Sequence, residues 1–358
     1  MKILVVGNGF TRGERPGGFY VNHHTAHFLI ALAAEGHEVT LAQPVVEQPS
    51  AAGLNNALLP PGKVQVLDLN KRSPTALLRA LGAASSADFV YIFYPGTWPH
   101  LLGRVCRWLG KGYGLYVRGE QFGDGQGVRA LFADAKIICA GTGLALRIEP
   151  NNPHVTTVSP MLDMTEADAA PRDFNGVAHR PLRVLFVGRL ERDKGVPELV
   201  EAIGMLKSRG FPCEARLVGG GPLHSELERL LGEPGSPDIA LAGLIADKSL
   251  LVQHYEWADV LVLPSHHEGF PRVLYEGMLK SCVIVTTMVG GIPALMKDDL
   301  NCKALPLENV EAIADTLQGL PRDPAAMQSL ADAGRETVLE VLRSRPTQIS
   351  ALRKVLNA

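Results

Sequence analysis

The chain has 358 residues, 46% of them hydrophobic and 20% charged, with a formal net charge of −2. A single hydrophobic core stops growing before that length, so two domains are expected, and the near-neutral balance excludes the strong basic stripe of a nucleic-acid-binding protein. No apolar run is long enough to cross a membrane, the opening run is too short for a signal peptide, and the five cysteines lack C-x-x-C spacing, which suits reduced thiols in a cytoplasmic protein.

Lys2 to Val6 reads as a strand, followed by a glycine-rich loop from Gly7 to Phe19 and a helical pattern through His24, His27, Phe28, Ala31 and Leu32 that stops at Gly36. Strand, glycine loop and helix start make the first turn of a doubly wound unit. The loop is not G-x-G-x-x-G, because its third glycine falls at Gly13, so dinucleotide binding is not expected. Gly17 and Gly18, read as standing directly before the helix, are the better anion contact, since backbone without side chains approaches an oxyanion closely. Further strands are expected at 38–42, 64–67, 89–94, 114–118, 137–140 and 155–158, separated by helices or loops.

Within this half, His100 to Lys111 sets Leu101, Leu102, Val105, Trp108 and Leu109 on one side and Arg104, Arg107 and Lys111 on the other. A core-packed helix and a membrane-surface helix both fit that pattern. Residues 1–162 carry 14 Lys and Arg against 10 Asp and Glu, a mildly basic balance that suits an anionic membrane or acceptor. Residues 164–180, rich in Ala, Asp, Pro and Gly and without periodicity, read as a linker.

The second half repeats the alternation. Strands are expected at 183–190, 214–222, 239–244, 260–264 and 283–287 as a parallel set of five, with helices at 197–209, 223–231, 310–320 and 324–343 and a last one at 349–356 after Pro346. Glycine-rich or polar turns follow each strand, at Gly188, Gly219 to Gly221, Gly243, Ser265 to Gly269 and Val289 to Gly291, and open α/β sheets bind ligands at that edge. The densest chemistry is Glu268-Gly-Phe-Pro-Arg-Val-Leu-Tyr-Glu276, two carboxylates around a Gly-Phe-Pro turn. Pro271 suits a first helical position, so the amides of Arg272, Val273 and Leu274 are expected to be unpaired and to attract phosphate. The carboxylates would then flank an anion rather than form a close acid/base pair.

Gly188-Arg-Leu-Glu-Arg-Asp-Lys-Gly195, Pro264-Ser-His-His-Glu-Gly-Phe-Pro271, the Glu268/Glu276 spacing and Val289-Gly-Gly-Ile-Pro293 resemble the retaining glycosyltransferases of family GT4, strongly over 183–320 and more weakly over 1–160. The resemblance implies an α/β fold of GT-B type: two facing Rossmann-like domains with parallel sheets, and a C-terminal helix crossing back to the N-terminal domain. Its divisions would be an acceptor-binding domain over 1–163, the linker over 164–180, a nucleotide-sugar-binding domain over 181–345 and the returning helix over 346–358. It further implies transfer of a sugar from a nucleoside diphosphate sugar to an acceptor hydroxyl with retained configuration, in glycan, glycolipid or polysaccharide biosynthesis.

In the resemblance Arg189 and Lys194 hold the donor diphosphate and Glu268 the sugar hydroxyls, these three being the catalytic set, while Glu276 grips the ribose. A carboxylate suits vicinal hydroxyls because it accepts from two at once. Gly269 and Phe270 approach the sugar by backbone, and the loop at Leu244 borders the base. Gly17, Gly18, Arg118, Arg272, Val273 and Leu274 complete the donor site. No D-x-D triplet occurs, so neither a metal nor any cofactor besides the donor is expected. The implied partners are the nucleotide sugar, a glycan or lipid-linked acceptor and a peripherally contacted membrane, with no nucleic acid, for a protein placed in the cytoplasm.

The chain departs from the family where many relatives carry a His after the strand ending Tyr116-Val-Arg-Gly-Glu120, since Arg118 stands there. A guanidinium cannot act as a base, so either the donor sugar differs or Arg118 serves elsewhere, with Glu120 as a partner. Ser159-Pro-Met161 replaces the usual Pro-Asn-Gly, with Asp163 retained. A transferase-derived binding protein without catalysis and a nucleotide-sugar epimerase are the alternatives. The intact Arg189, Lys194, Glu268 and Glu276 argue against the first, and product analysis without an acceptor separates the second.

Overall fold

The computed structural model describes residues 1–14, 18–46, 57–70, 75–118, 126–133 and 135–357. Its contacts divide the chain into two units, Met1–Pro160 with Arg345–Ala358, and Met161–Ser344.

In the first unit the chain runs β1 (Lys2–Val6), β2 (Thr11–Glu14), β3 (Gly18–Val21), α1 (His23–Ala34), β4 (Glu38–Gln43), β5 (Val45–Val46), β6 (Ala57–Leu58), β7 (Val64–Asp68), α2 (Ala76–Ser86), β8 (Phe89–Tyr94), α3 (Thr97–Trp108), β9 (Tyr113–Val117), α4 (Gln126–Ala133), β10 (Lys136–Cys139), α5 (Thr142–Ile148) and β11 (Val155–Thr157). Seven strands form one parallel sheet in the order β11-β10-β9-β8-β1-β4-β7. Every residue of β8 is buried, as a central parallel strand covered on both faces requires.

The stretch expected as a glycine loop after β1 contains two strands. Thr11–Glu14 and Gly18–Val21 pair as an antiparallel hairpin, Arg12 opposite Tyr20 with its guanidinium 4.4 Å from the ring centre, inside a small sheet ordered β5-β2-β3-β6. Gly18 therefore lies opposite Glu14 in a strand and does not adjoin α1, whose start is capped by Asn22 accepting from the His24 amide. Gly17 lies outside the described residues.

The second unit runs β12 (Leu182–Val187), α6 (Val196–Ser208), β13 (Cys213–Val218), α7 (His224–Leu231), β14 (Ile239–Gly243), α8 (Lys248–Trp257), β15 (Val260–Leu263), α9 (Arg272–Leu279), β16 (Val283–Thr287), β17 (Lys303–Leu305), α10 (Val310–Gly319) and α11 (Pro324–Ser344). Its parallel sheet has six strands, in the order β14-β13-β12-β15-β16-β17, and β17 extends the expected set of five. The linker expected over 164–180 is also corrected. Met164, Phe174 and Val177 are buried in this unit's core, and Arg172 donates to the carbonyls of Tyr255 and Glu256 at 2.9 and 3.0 Å. Irregular backbone carries no periodic signal, yet its few apolar residues found the core.

After α11 the chain rejoins the first unit as α12 (Gln348–Leu356). Ala351 and Leu352 are buried there, Gln348 donates to the Tyr91 hydroxyl at 3.2 Å, and the Ser159 amide donates to the Pro346 carbonyl at 2.9 Å.

Candidate active site

The carboxyl ends of the second sheet bring several loops into backbone contact. Gly195 has φ +68°, and a Cβ there would stand 2.2 Å from the Pro264 carbonyl oxygen, so only glycine lets the turn after β12 lie against the end of β15. Gly219 does the same for β13, where a Cβ would meet the Gly188 carbonyl oxygen at 1.8 Å. The turn that ends in Gly195 thereby delivers Lys194 to the loop after β15. Its Nζ donates to Glu268 Oε1 at 2.8 Å and to the His267 carbonyl at 3.3 Å.

Glu268 Oε1 also accepts from Ser265 Oγ at 2.9 Å, and the Ser265 carbonyl accepts from Thr287 Oγ1 at 2.5 Å. The His266 amide donates to the Asp193 carbonyl at 2.8 Å, and its ring meets Glu198 Oε1 of α6 at 3.1 Å. Lys194 and Glu268 are each only 13% exposed. Removing one member of so dry a pair strands the other's charge, which costs more than the pair itself contributes. The cluster supplies a held cation beside a carboxylate with its second oxygen unengaged among the described residues, as developing phosphate charge and sugar hydroxyls require.

Glu276 sits apart from this pair, in the second turn of α9, 7% exposed, accepting at Oε2 from the Tyr255 hydroxyl of α8 at 2.6 Å. Burial pushes its carboxyl above the usual range, while the Tyr255 hydrogen bond and the nearby Arg272 pull it back.

Lys194 and Glu268 thus meet, but Arg189 does not join them, since its exposed guanidinium pairs with Glu191 at 2.8 Å. Two other expectations are corrected at α9. Pro271 is the cap rather than the first helical residue, and its carbonyl accepts from the Leu274 amide at 3.2 Å, so that amide is not available to an anion. The Leu274 side chain is buried and Val273 packs on the core, whereas Arg272 is exposed and donates to the Met161 carbonyl at 3.4 Å. The Gly269 carbonyl accepts from the Gly291 amide at 2.7 Å, tying this loop to the Val289 to Gly291 turn, and the Phe270 ring packs against Tyr275 at a tilt of 43°, with centroids 4.5 Å apart. Leu244 is exposed just beyond β14.

In the first unit Arg118, at the end of β9, donates to Asn8 Oδ1 at 2.7 Å and lies 5.4 Å from the Phe93 ring centre. Glu120, its expected partner, is outside the described residues. Tyr255, His266, Glu198 and Ser265 were given no role by sequence reasoning. Ser265 and His266 stand inside the quoted motif, but nothing local marks Tyr255 or Glu198 as partners of residues tens of positions away.

The profile of the family described as Glycosyl transferases group 1 matches residues 181–323, the stretch that contains Lys194, Glu268 and Glu276. Residues 181–323 form a group 1 glycosyltransferase domain. The chain is 31% identical over 170 residues, 47% of its length and 44% of the relative's, to alpha-D-kanosaminyltransferase of Streptomyces kanamyceticus. It is 31% identical over 195 residues, 51% of its length and 45% of the relative's, to a D-inositol 3-phosphate glycosyltransferase of Saccharomonospora viridis. The chain thus matches less than half the length of these relatives. Among solved structures, HepE of Anabaena in complex with UDP superposes with a TM-score of 0.69 at 16% identity, over 100% of this chain and 99% of that one. Sucrose-phosphate synthase of Thermosynechococcus elongatus does so at 0.64 and 19% identity, over 99% and 98%. The fold is GT-B, with the group 1 domain as the second of two Rossmann-like units, which bears out the GT4 resemblance.

Proposed function

We propose that this protein transfers a sugar from a nucleoside diphosphate sugar to an acceptor hydroxyl in glycan biosynthesis, with retained anomeric configuration and without a metal ion. One observation carries the reading: Lys194, Glu268 and Ser265 form a nearly dry hydrogen-bonded cluster at the ligand-binding edge of a group 1 domain. In this reading Lys194 neutralises the charge that develops on the leaving diphosphate, Glu268 accepts from sugar hydroxyls and Glu276 from the ribose. The complex of HepE with UDP and the transferase names of the relatives support a nucleotide-sugar donor. The deciding experiment is a transfer assay with UDP-, GDP-, ADP- and dTDP-sugars, with and without EDTA, and NMR of the product anomer. Transfer with an α-linked donor giving an α-linked product, unchanged by EDTA, is expected. An inverted product or a loss restored only by metal overturns the corresponding part, and epimerised donor without acceptor favours the epimerase.

A peripheral contact with an anionic membrane is a second part of the proposal, and it too rests on one observation. Trp108, expected on the apolar side of its helix, is 84% exposed, and it shares a helical face with the exposed Leu101 and Arg104. Leu77 and Leu78 of the neighbouring α2 are also exposed, and a recess of about 380 Å³ nearby is bordered by Arg107, Lys111 and Lys136 and, among the described residues, by no carboxylate. An apolar rim interleaved with cations suits a bilayer surface, where each juxtaposed cation contributes about 1 kcal/mol. Among the described residues no helix is long and apolar enough to cross a membrane. Sedimentation with phosphatidylserine vesicles should show binding at low salt and release at high salt, and Trp108→Ser with Arg104→Ser should abolish it. No binding at low salt ends this part of the proposal.

A further inference from the structure

The carboxylate assigned above to the ribose is held by a residue with no assigned role. Tyr255, in the last turn of α8, is wholly buried, and its hydroxyl donates to Glu276 Oε2 at 2.6 Å. The residue is also pinned through its backbone, because the Tyr255 carbonyl accepts from Arg172 at 2.9 Å and from the Cys282 thiol at 3.3 Å. The hydroxyl is therefore presented from a fixed point on one helix to a carboxylate on the next. Among the described residues no other hydrogen bond to the Glu276 carboxylate is found.

We propose that Tyr255 is a positioning residue of the nucleotide site: its hydroxyl fixes the Glu276 carboxylate through Oε2, leaving Oε1 and the remaining lone pair of Oε2 for the two ribose hydroxyls. The inference rests on the assignment of Glu276 to the ribose. A carboxylate that must receive a diol has to be both oriented and ionised, and at 7% exposure water secures neither. Burial and the charge of Glu276 push the Tyr255 phenol far above its ordinary range, so it remains protonated and can only donate to that carboxylate. Three charged or titratable groups outside the pair bear on it. Arg272, on the same helix, and the Tyr255 hydroxyl favour the carboxylate, Asp163 opposes it, and Cys282 stands beside Tyr255 as a neutral thiol pushed up to about 11.

The sign of the test follows from this balance. The Tyr255 hydrogen bond lowers the carboxyl's pKa against burial, so its removal raises that pKa. Binding that needs the ionised carboxylate is then lost at a higher pH on the acid side. Tyr255→Phe keeps the ring and removes only the hydroxyl. Titration calorimetry of the full chain with UDP, GDP, ADP and dTDP between pH 5 and 8 compares wild type, Tyr255→Phe and Glu276→Gln.

For whichever nucleotide binds wild type, Tyr255→Phe should weaken affinity about tenfold at neutral pH, the scale of one hydrogen bond to a charged group. KM for the sugar donor should rise with kcat nearly unchanged, and the acid limb should move to higher pH. A merely structural tyrosine would lower the melting temperature without moving that limb. Wild-type affinity and limb in Tyr255→Phe, with affinity lost in Glu276→Gln, overturns the positioning role alone. Unchanged affinity in Glu276→Gln, or no nucleotide bound by wild type, overturns the ribose assignment and the inference with it. Should Tyr255→Phe fail to fold, 3-fluorotyrosine at position 255 keeps the shape with a stronger donor. The acid limb should then move to lower pH, and an unmoved limb counts against the proposal.

Discussion

The two parallel sheets are built by the same alternation and end in different equipment. At the carboxyl edge of the second sheet, glycines at 195 and 219 let loops approach backbone to backbone, and Lys194, Ser265, Glu268, His266 and Glu198 are tied together by hydrogen bonds between residues up to 74 positions apart. At the same edge of the first sheet, a hairpin follows β1, and Arg118 is fastened to the neutral Asn8. The difference teaches that the strands set where a ligand can bind, while the loops decide whether charge waits there.

The comparison breaks most sharply at its charged centre. Lys194→Ala should lower turnover by ~10²-fold or more, the cost of removing one transition-state donor. Product formation from the nucleotide sugar measures it, and turnover close to wild type would place the diphosphate elsewhere. Gly195→Ala should cost roughly 2–3 kcal/mol, because a left-handed residue is strained and its Cβ meets the Pro264 carbonyl. Gly62→Ala, at φ +78° in the first unit with nothing within 4 Å of the added atom, should cost only about 1 kcal/mol. Urea denaturation gives both, and equal losses would show that the close approach at Gly195 carries no energy.

Arg118→Ala should act more weakly than Lys194→Ala, about tenfold and chiefly on KM, since it removes one hydrogen bond to a neutral side chain. A loss as large as that of Lys194→Ala would shift the chemistry towards the first unit. The smallest effect concerns pH and stability. Burial holds the folded Glu276 carboxyl above its ordinary pKa, so ionising it opposes folding, and its contribution to stability improves as pH falls through the folded value. Glu276→Gln should therefore slightly raise the melting temperature of the nucleotide-free protein at neutral pH while weakening nucleotide binding. A lowered melting temperature would show that the charge is satisfied better than its burial allows.

Strands were the most legible elements, because Phe89 to Tyr94 is an unbroken run of aromatic and β-branched residues and Val283 to Thr287 is β-branched throughout, and both appear at their expected bounds. The hairpin was not legible, since Thr-Arg-Gly-Glu has no period-two apolar pattern and is held by pairing with a partner strand. Helix α8 was missed for a related reason: its only buried side chain is Tyr255, although Asp247 caps the Ser249 and Leu250 amides as a readable start signal. Trp108 shows the opposite error. An apolar stripe was legible on α3, but Leu102 and Cys106 face the core while Trp108 does not.

Local information was enough for the parallel α/β class and for the short motifs around Lys194, Glu268 and Glu276, because backbone geometry and phosphate chemistry restrict which residues can occupy such turns. Pairing between distant residues belongs to the folded chain. That Lys194 reaches Glu268, that His266 meets Glu198, and that Tyr255 donates to Glu276 depend on distances of a few ångströms between separate elements. Hydrogen bonds have no reach beyond that, so no pattern along the chain could announce them.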